Sequence, residues 1–296
     1  MNKFFIILFF FFPYLLQART GIENFYYQTH EGLLLLPISQ RPTPFWSFGQ
    51  TIADKNDLLA WETIQDTQGK RGQKQFISSV PQILYAIRDD LALFIQPPQA
   101  IKYKLCNKRS SGFEDTLIQF EYDYAHTVKR TSTKRATVVT AITLPTGSAK
   151  KNPPTGFGAP SFFLGLTAYT TTIDWYGYIS PGITIPIPHK GTRFGNQYLY
   201  EFGLGHSLGH HEKWILCLIL EANGTYSQKN KINNKIDLNS GGNIFYIGPV
   251  FFASNKRWIF KFGTQFAASQ HLFGRQPQNT FMVGARIGMK FTNVIS

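Results

Sequence analysis

The stretch Thr280-Phe281-Met282-Val283-Gly284-Ala285-Arg286-Ile287-Gly288-Met289-Lys290-Phe291 decides how the rest of the chain is read. Phe281, Val283, Ala285, Ile287, Met289 and Phe291 are apolar, and between them stand Met282, Gly284, Arg286, Gly288 and Lys290. Successive residues of a strand point to opposite faces. One face of this strand is therefore continuous apolar surface, and the other carries glycines and cations. A soluble sheet would turn the apolar face to a core. A membrane barrel turns it to lipid and lines its lumen with the polar face.

The same alternation recurs upstream. Trp258, Phe260, Phe262 and Phe266 alternate with Ile259, Lys261, Gly263 and Gln265. Tyr198, Tyr200, Phe202 and Leu204 alternate with Leu199, Glu201, Gly203 and Gly205. Ile118, Phe120, Tyr122 and Tyr124 alternate with Leu117, Gln119, Glu121 and Asp123. Aromatics crowd the apolar faces, and glycine and charge crowd the others.

Extended along the chain, this period predicts strands at 45–53, 76–87, 90–98, 114–127, 134–145, 160–171, 174–186, 196–207, 213–226, 243–253, 256–268 and 280–291. The segments between them alternate long and short. The long ones are 54–75, 99–113, 146–159, 187–195, 227–242 and 269–279, and the short ones are 88–89, 128–133, 172–173, 208–212 and 254–255. Outer-membrane barrels join their strands by long external loops and short periplasmic turns. The predicted fold is thus all-β: a transmembrane, antiparallel, up-and-down barrel of about twelve strands, with both termini periplasmic. Leu58 to Gln65 in the first loop is a rival strand.

Composition agrees. Aromatics and charged residues each make up 16% of the chain, a balance that suits a protein with lipid outside and water inside. Past residue 18 no apolar run reaches the length of a membrane-spanning helix. Residues 1–18 read as a signal peptide: Lys3, an apolar stretch from Phe4 to Leu16, then Leu16-Gln17-Ala18. Residues 19–44 hold Leu33-Leu34-Leu35-Leu36 followed by Pro37, Pro42 and Pro44, and are expected to form a periplasmic extension or a plug; residues 45–296 are assigned to the barrel. Export of this kind places the protein in the outer membrane of a Gram-negative bacterium. The formal net charge of +13 would suit nucleic acid, but an exported barrel meets the phosphates of outer-leaflet lipid instead. Cys106 and Cys217 are too few for a disulfide framework and fall in different kinds of segment.

No catalytic constellation emerges. His206 and Ser207 are neighbours on a strand and point apart, so they cannot form a nucleophile–base pair. His210-His211-Glu212 falls in a short turn, where solvated side chains are the ordinary case. No zinc spacing, nucleotide motif or cofactor site is found, and no enzymatic activity is expected. The inward face is more informative. Glu121, Asp123, Glu201, Glu221, Lys261, Arg286 and Lys290 should project into the lumen as a charged belt in its lower half. Such a belt fills space by pairing or sorts solutes by charge. Twelve strands ~4.8 Å apart and tilted ~40° give a backbone radius of roughly 12 Å, so the passage should be narrow or plugged.

Several stretches resemble a known family. They are Ser111-Gly112-Phe113-Glu114-Asp115, Ala141-Ile142-Thr143-Leu144-Pro145-Thr146-Gly147, Gly156-Phe157-Gly158, Asp174-Trp175 and the strand ending in Glu221. Together they resemble the outer-membrane barrel transporters of the meta-pathway of phenol degradation, over roughly residues 76–291. Glu114 stands where that family usually has a second glycine. The resemblance implies passage of small hydrophobic or aromatic compounds and assigns no catalytic residues.

The expected function is that of an outer-membrane channel or transporter. The alternative is a structural or surface protein whose loops bind lipopolysaccharide or host factors. Lys102, Lys104, Lys108 and Arg109 in the second long loop, with Lys229, Lys231 and Lys235 in the fifth, are the candidate lipopolysaccharide contacts. The expected partners are outer-membrane lipid and lipopolysaccharide, a small-molecule solute and the barrel-assembly machinery, with no nucleic acid and no metal.

Overall fold

The computed structural model describes residues 32–49, 53–211 and 213–292. The predicted signal segment 1–18 lies outside them.

Twelve antiparallel strands close into a barrel. They are β1 Leu58–Gly69, β2 Lys74–Arg88, β3 in two pieces (Leu91–Gln96 and Gln99–Leu105), β4 in two pieces (Lys108–Phe113 and Thr116–Lys129), β5 Ser132–Leu144, β6 Ser161–Thr172, β7 Trp175–Pro186, β8 Gln197–His211, β9 Trp214–Ser227, β10 Gly242–Ser254, β11 Trp258–Leu272 and β12 Asn279–Phe291. Each strand pairs with the next, and β1 pairs with both β2 and β12, which closes the barrel and leaves unpaired only the outer side of the short piece Lys108–Phe113 among these strands. Pro97-Pro98 interrupts β3 because proline cannot donate to the ladder. The strand resumes at Gln99 and forms a hairpin with the first piece of β4.

Two expectations are corrected here. Residues 45–49 are not a strand, and the barrel begins at Leu58, on the segment noted as a rival. On β1 the outward side carries Glu62 and Asp66 among apolar residues, which broke the apolar period. Glu62 accepts a hydrogen bond from the Ser79 hydroxyl at 2.7 Å, and Asp66 accepts one from the Gln68 amide at 2.6 Å. The predicted long loops 54–75 and 99–113 are mostly strand. Only 70–73 and 106–107 connect there, because polar composition resembles a loop even where the ladder continues beyond the membrane. The connections 145–160, 187–196, 228–241 and 273–278 remain long, and the turns at the opposite end remain short.

The outer surface is apolar. Phe260 and Phe262 are exposed on it, while Lys261 between them is buried inside. Trp175, Trp214 and Trp258 stand at the short-turn ends of β7, β9 and β11, on the same side as these phenylalanines. Indole rings collect at membrane interfaces because they are apolar with one polar tip.

The packed core sits in the lumen. Leu59, Leu84, Tyr176, Ile215, Ile219 and Phe252 turn inward and meet Leu33, Leu36 and Phe45 of the N-terminal segment. The lower lumen is therefore filled, by this apolar cluster and by buried polar pairs beside it, where the sequence pattern had suggested a wet interior.

Candidate functional site: a lumen occupied by the N-terminal segment

Residues 32–49 enter from the short-turn end. A 3-10 turn, Gly32–Leu35, is tied to that end by a hydrogen bond from the Leu33 N–H to the Ile173 carbonyl, at 2.8 Å. Arg41 donates to the Leu36 carbonyl at 3.0 Å and to the Thr133 hydroxyl at 2.9 Å. The Ser254 hydroxyl donates to Gln40 at 3.2 Å.

Higher in the barrel, three charged wall residues grip the backbone of this segment. Glu221 on β9 accepts the N–H groups of Phe45 at 2.7 Å and Trp46 at 3.2 Å. Lys261 on β11 donates to the carbonyls of Thr43 at 3.0 Å and Pro44 at 3.1 Å, and also to the Thr43 hydroxyl. Arg286 on β12 donates to the Phe45 carbonyl at 3.1 Å and to Thr63 at 2.8 Å, and its guanidinium lies 5.0 Å from the Phe45 ring centroid. A cation aimed at carbonyls and a carboxylate aimed at N–H groups are the stronger kind of hydrogen bond. Glu201 on β8 continues the grip, accepting the Phe48 N–H, while the Ser47 hydroxyl donates to the Phe48 carbonyl at 3.1 Å.

Wall glycines complete the fit. Gly284 leaves space for Phe45 and Trp46: a Cβ there would lie 2.6 Å from the Phe45 ring. Gly182 does the same for Phe163 and Phe48, whose rings meet edge to face at 4.4 Å. Gly165, Gly182, Gly263 and Gly284 are thus sockets for aromatic rings of the same chain.

The seven residues of the sequence-derived belt do not form one group. Glu201, Glu221, Lys261 and Arg286 surround the inserted segment. Asp123 instead pairs with Arg135 on β5 at 2.8 Å. Lys290 pairs with Asp57 and, at 3.4 Å, with Asp54, just before β1. Glu121 accepts the Gln119 amide at 2.8 Å. The belt's charges therefore face protein groups, where the sequence left open a filter facing water. Sequence reasoning missed Trp46, Phe48, Trp61, Phe163 and Arg135. The readable signal was the coincidence of mid-strand inward glycines with an aromatic cluster, Phe45-Trp46-Ser47-Phe48, following three prolines.

Beside the inserted segment a cavity of about 240 Å³ remains, walled by Trp46, Phe48, Trp61, Phe94, Gln82 and Glu201 among others. Elsewhere in these side chains the indole N–H groups of Trp46 and Trp61 and one carboxylate oxygen of Glu201 are buried without a hydrogen-bond partner. A larger cavity of about 400 Å³ opens at the long-loop end. Both meet the inner face of β8, the upper one at Gln197 and the lower at Leu199 and Glu201.

The long-loop end is tied together by the stretches that carried the family resemblance. Asp115 accepts the N–H of Gly147 at 2.9 Å and of Phe157 at 2.7 Å. Thr146 donates to the Glu114 carbonyl at 2.8 Å. Burial, with the Asp115 carboxylate beside it, pushes the Glu114 carboxyl up to about 7.

The candidate lipopolysaccharide contacts divide. Lys104 and Arg109 face each other across the β3–β4 hairpin, with Lys108 opposite Leu105 and Lys102 opposite Ile77. Lys229 lies over the Phe273 ring at 5.0 Å, and Lys231 and Lys235 sit in a small sheet of the outer loops. His206 packs edge to face on Trp175 at 4.4 Å. Among the described residues no group of His, Cys, Asp and Glu side chains is placed to hold a metal.

No family model matches the chain, and no curated protein matches it. Among solved structures the fold is similar to that of an outer membrane channel from Pseudomonas putida F1, at 12% identity and a TM-score of 0.63, over 80% of this chain and 96% of that one. The NanC porin aligns at 9% identity and a TM-score of 0.48, over 78% of this chain and 99% of that one. The class is therefore a closed, twelve-stranded antiparallel barrel with the fold of outer-membrane channels.

Proposed function

We propose that the protein is an outer-membrane channel for small, uncharged solutes with an apolar or aromatic face, which pass beside the inserted segment 32–49. The observation that carries this reading is the cavity beside that segment, walled by the rings of Trp46, Phe48, Trp61 and Phe94 together with Gln82, Gln96 and Gln119. A lining that mixes aromatic rings with side-chain amides suits a small solute that carries an apolar face and a few polar groups. The resemblance to barrel transporters of phenol degradation and the channel fold both support it. A wide pore is at odds with the filled lower lumen.

Single-channel recording of the full chain in planar bilayers is the test. The native barrel should show a small conductance. Substituting Phe48→Ala, which shortens the tip of the inserted segment, should raise it. A barrel that inserts and stays silent in both forms would overturn the channel reading.

A further inference from the structure

We propose that the outer mouth of the barrel is a binding site for neutral, polyhydroxylated ring solutes of the pyranose sugar type. This deepens the channel reading by naming a solute class and rests on it for the route the bound solute then takes.

The mouth cavity, about 400 Å³, falls within the ~300–1,000 Å³ usual for small-molecule sites. Along one wall, Thr184, Gln197 and Ser227 stand directly opposite one another on β7, β8 and β9. Gln197 lies on the same strand face as Glu201, so the row turns inward. Among the described residues none of these three side chains has a hydrogen-bond partner. The row thus offers an amide and two hydroxyls, each able to donate and to accept.

An apolar surface completes the cavity. Phe157 and Phe194 meet edge to face at 4.9 Å, and both line it. The pair is held from behind. The Phe157 N–H is bound by Asp115 at 2.7 Å, and Gly195, next to Phe194, donates to Asn230 of the following loop at 3.0 Å. A third tie joins the Arg275 N–H to Asn239 at 2.8 Å. The loops that form the mouth are therefore bonded to one another, and a preformed site loses little ordering entropy on binding.

Charge narrows the class. The chain carries thirteen net positive charges, yet among the described residues Asp237 is the one charged residue in this lining, and it accepts the Asn239 N–H at 2.9 Å. An anionic solute would find no cation there. A purely aromatic solute would cover the polar row and leave it unsatisfied, which is costly. A pyranose ring presents a C–H face to the phenylalanines and hydroxyls to the amide and hydroxyl row, and so matches both walls.

The test uses the full chain, with maltose and phenol as probes. Calorimetry on detergent-folded barrel should show saturable maltose binding, and maltose should interrupt the ion current in bilayers. Substituting Phe194→Ala or Gln197→Ala should each weaken binding about tenfold, while heat-modifiable migration shows the barrel intact. Maltose binding that is indifferent to both substitutions, or phenol binding without maltose binding, would overturn the assignment. Ion current with no sugar effect in either assay would also overturn it, leaving the channel reading in place. A silent barrel whose maltose binding is lost in both variants would support the site and sink the channel.

Discussion

Replacing Glu221 by Gln should loosen the inserted segment without disturbing the barrel. Glu221 accepts two backbone N–H groups, from Phe45 at 2.7 Å and Trp46 at 3.2 Å. An amide keeps one acceptor and turns a donor toward the second N–H. One charge-assisted hydrogen bond, with a net contribution of ~1.5–3 kcal/mol, is then lost. That corresponds to a shift of about ten- to a hundred-fold toward the unseated segment. The substitution also removes the carboxylate that balances Lys261 and Arg286 across the lumen, which pushes in the same direction. The assay is thiol labelling of a Ser47→Cys reporter by a water-soluble reagent, in a Cys106→Ser background because Cys106 is exposed. Cys217 is buried and should stay silent. Labelling of residue 47 should accelerate by the factor above, and brief high-conductance events should appear in bilayers. Equal labelling rates in the two forms, with heat-modifiable migration intact, would refute the idea that wall charges hold the segment in place.

Two further outcomes follow from the long-loop end. Exchanging Lys102, Lys104, Lys108 and Arg109 for Gln should weaken lipopolysaccharide co-purification, most visibly at low salt, since exposed ionic contacts are screened; equal retention at every ionic strength would dismiss that partner. The Glu114 carboxyl is raised from 4.5 to about 7 by burial, with Asp115 adding to the shift. The folding contribution of the buried neutral carboxyl at this end of β4, to which loop 145–160 is tied through the Glu114 backbone carbonyl, is full below its unfolded pKa and is lost as pH rises through about 7. Proteolysis of that loop should therefore quicken from pH 6 to pH 8 (roughly one unit either side of that pKa), and Glu114→Gln should flatten the profile.

How much of this was legible depends on which face a residue occupies. Lipid demands apolar side chains at every second position, so strands such as 280–291 announce themselves. Strand β1 did not, because Glu62 and Asp66 on its outward side are satisfied by Ser79 and Gln68, a pairing visible only once the strands are side by side. Segment 45–49 was misread for the converse reason. Its aromatic residues resemble a lipid face but pack on Gly284, Gly263 and Gly165 inside. Strand parity puts Glu221, Lys261 and Arg286 on the inner face, yet parity carries no information about what an inward charge will bind. Their partners are backbone atoms more than 170 residues away in sequence, a contact that no local pattern encodes.

The two ends of the inserted segment are held by different physics, and this sets the order in which they should let go. At the base, Leu33 and Leu36 are buried against the lumen wall, and each such side chain contributes ~1.5–3 kcal/mol that is lost on exposure to water. At the tip, residues 43–48 accept hydrogen bonds from Lys261 and Arg286 and donate them to Glu221 and Glu201. In a soluble core, breaking such bonds would strand buried charges. Here withdrawal of the tip opens the lumen to water, which rehydrates the charges and recovers much of the loss. The tip is thus easier to unseat than the base, although its individual bonds are stronger. Hydrogen exchange in detergent or nanodiscs should find the amides of Phe45 and Trp46 exchanging faster than that of Leu33, which is bonded to Ile173. The Glu221→Gln substitution should widen that gap by accelerating only the tip. Simultaneous exchange of both ends would mean that the segment leaves as one piece, and the division of labour between apolar base and polar tip would fail.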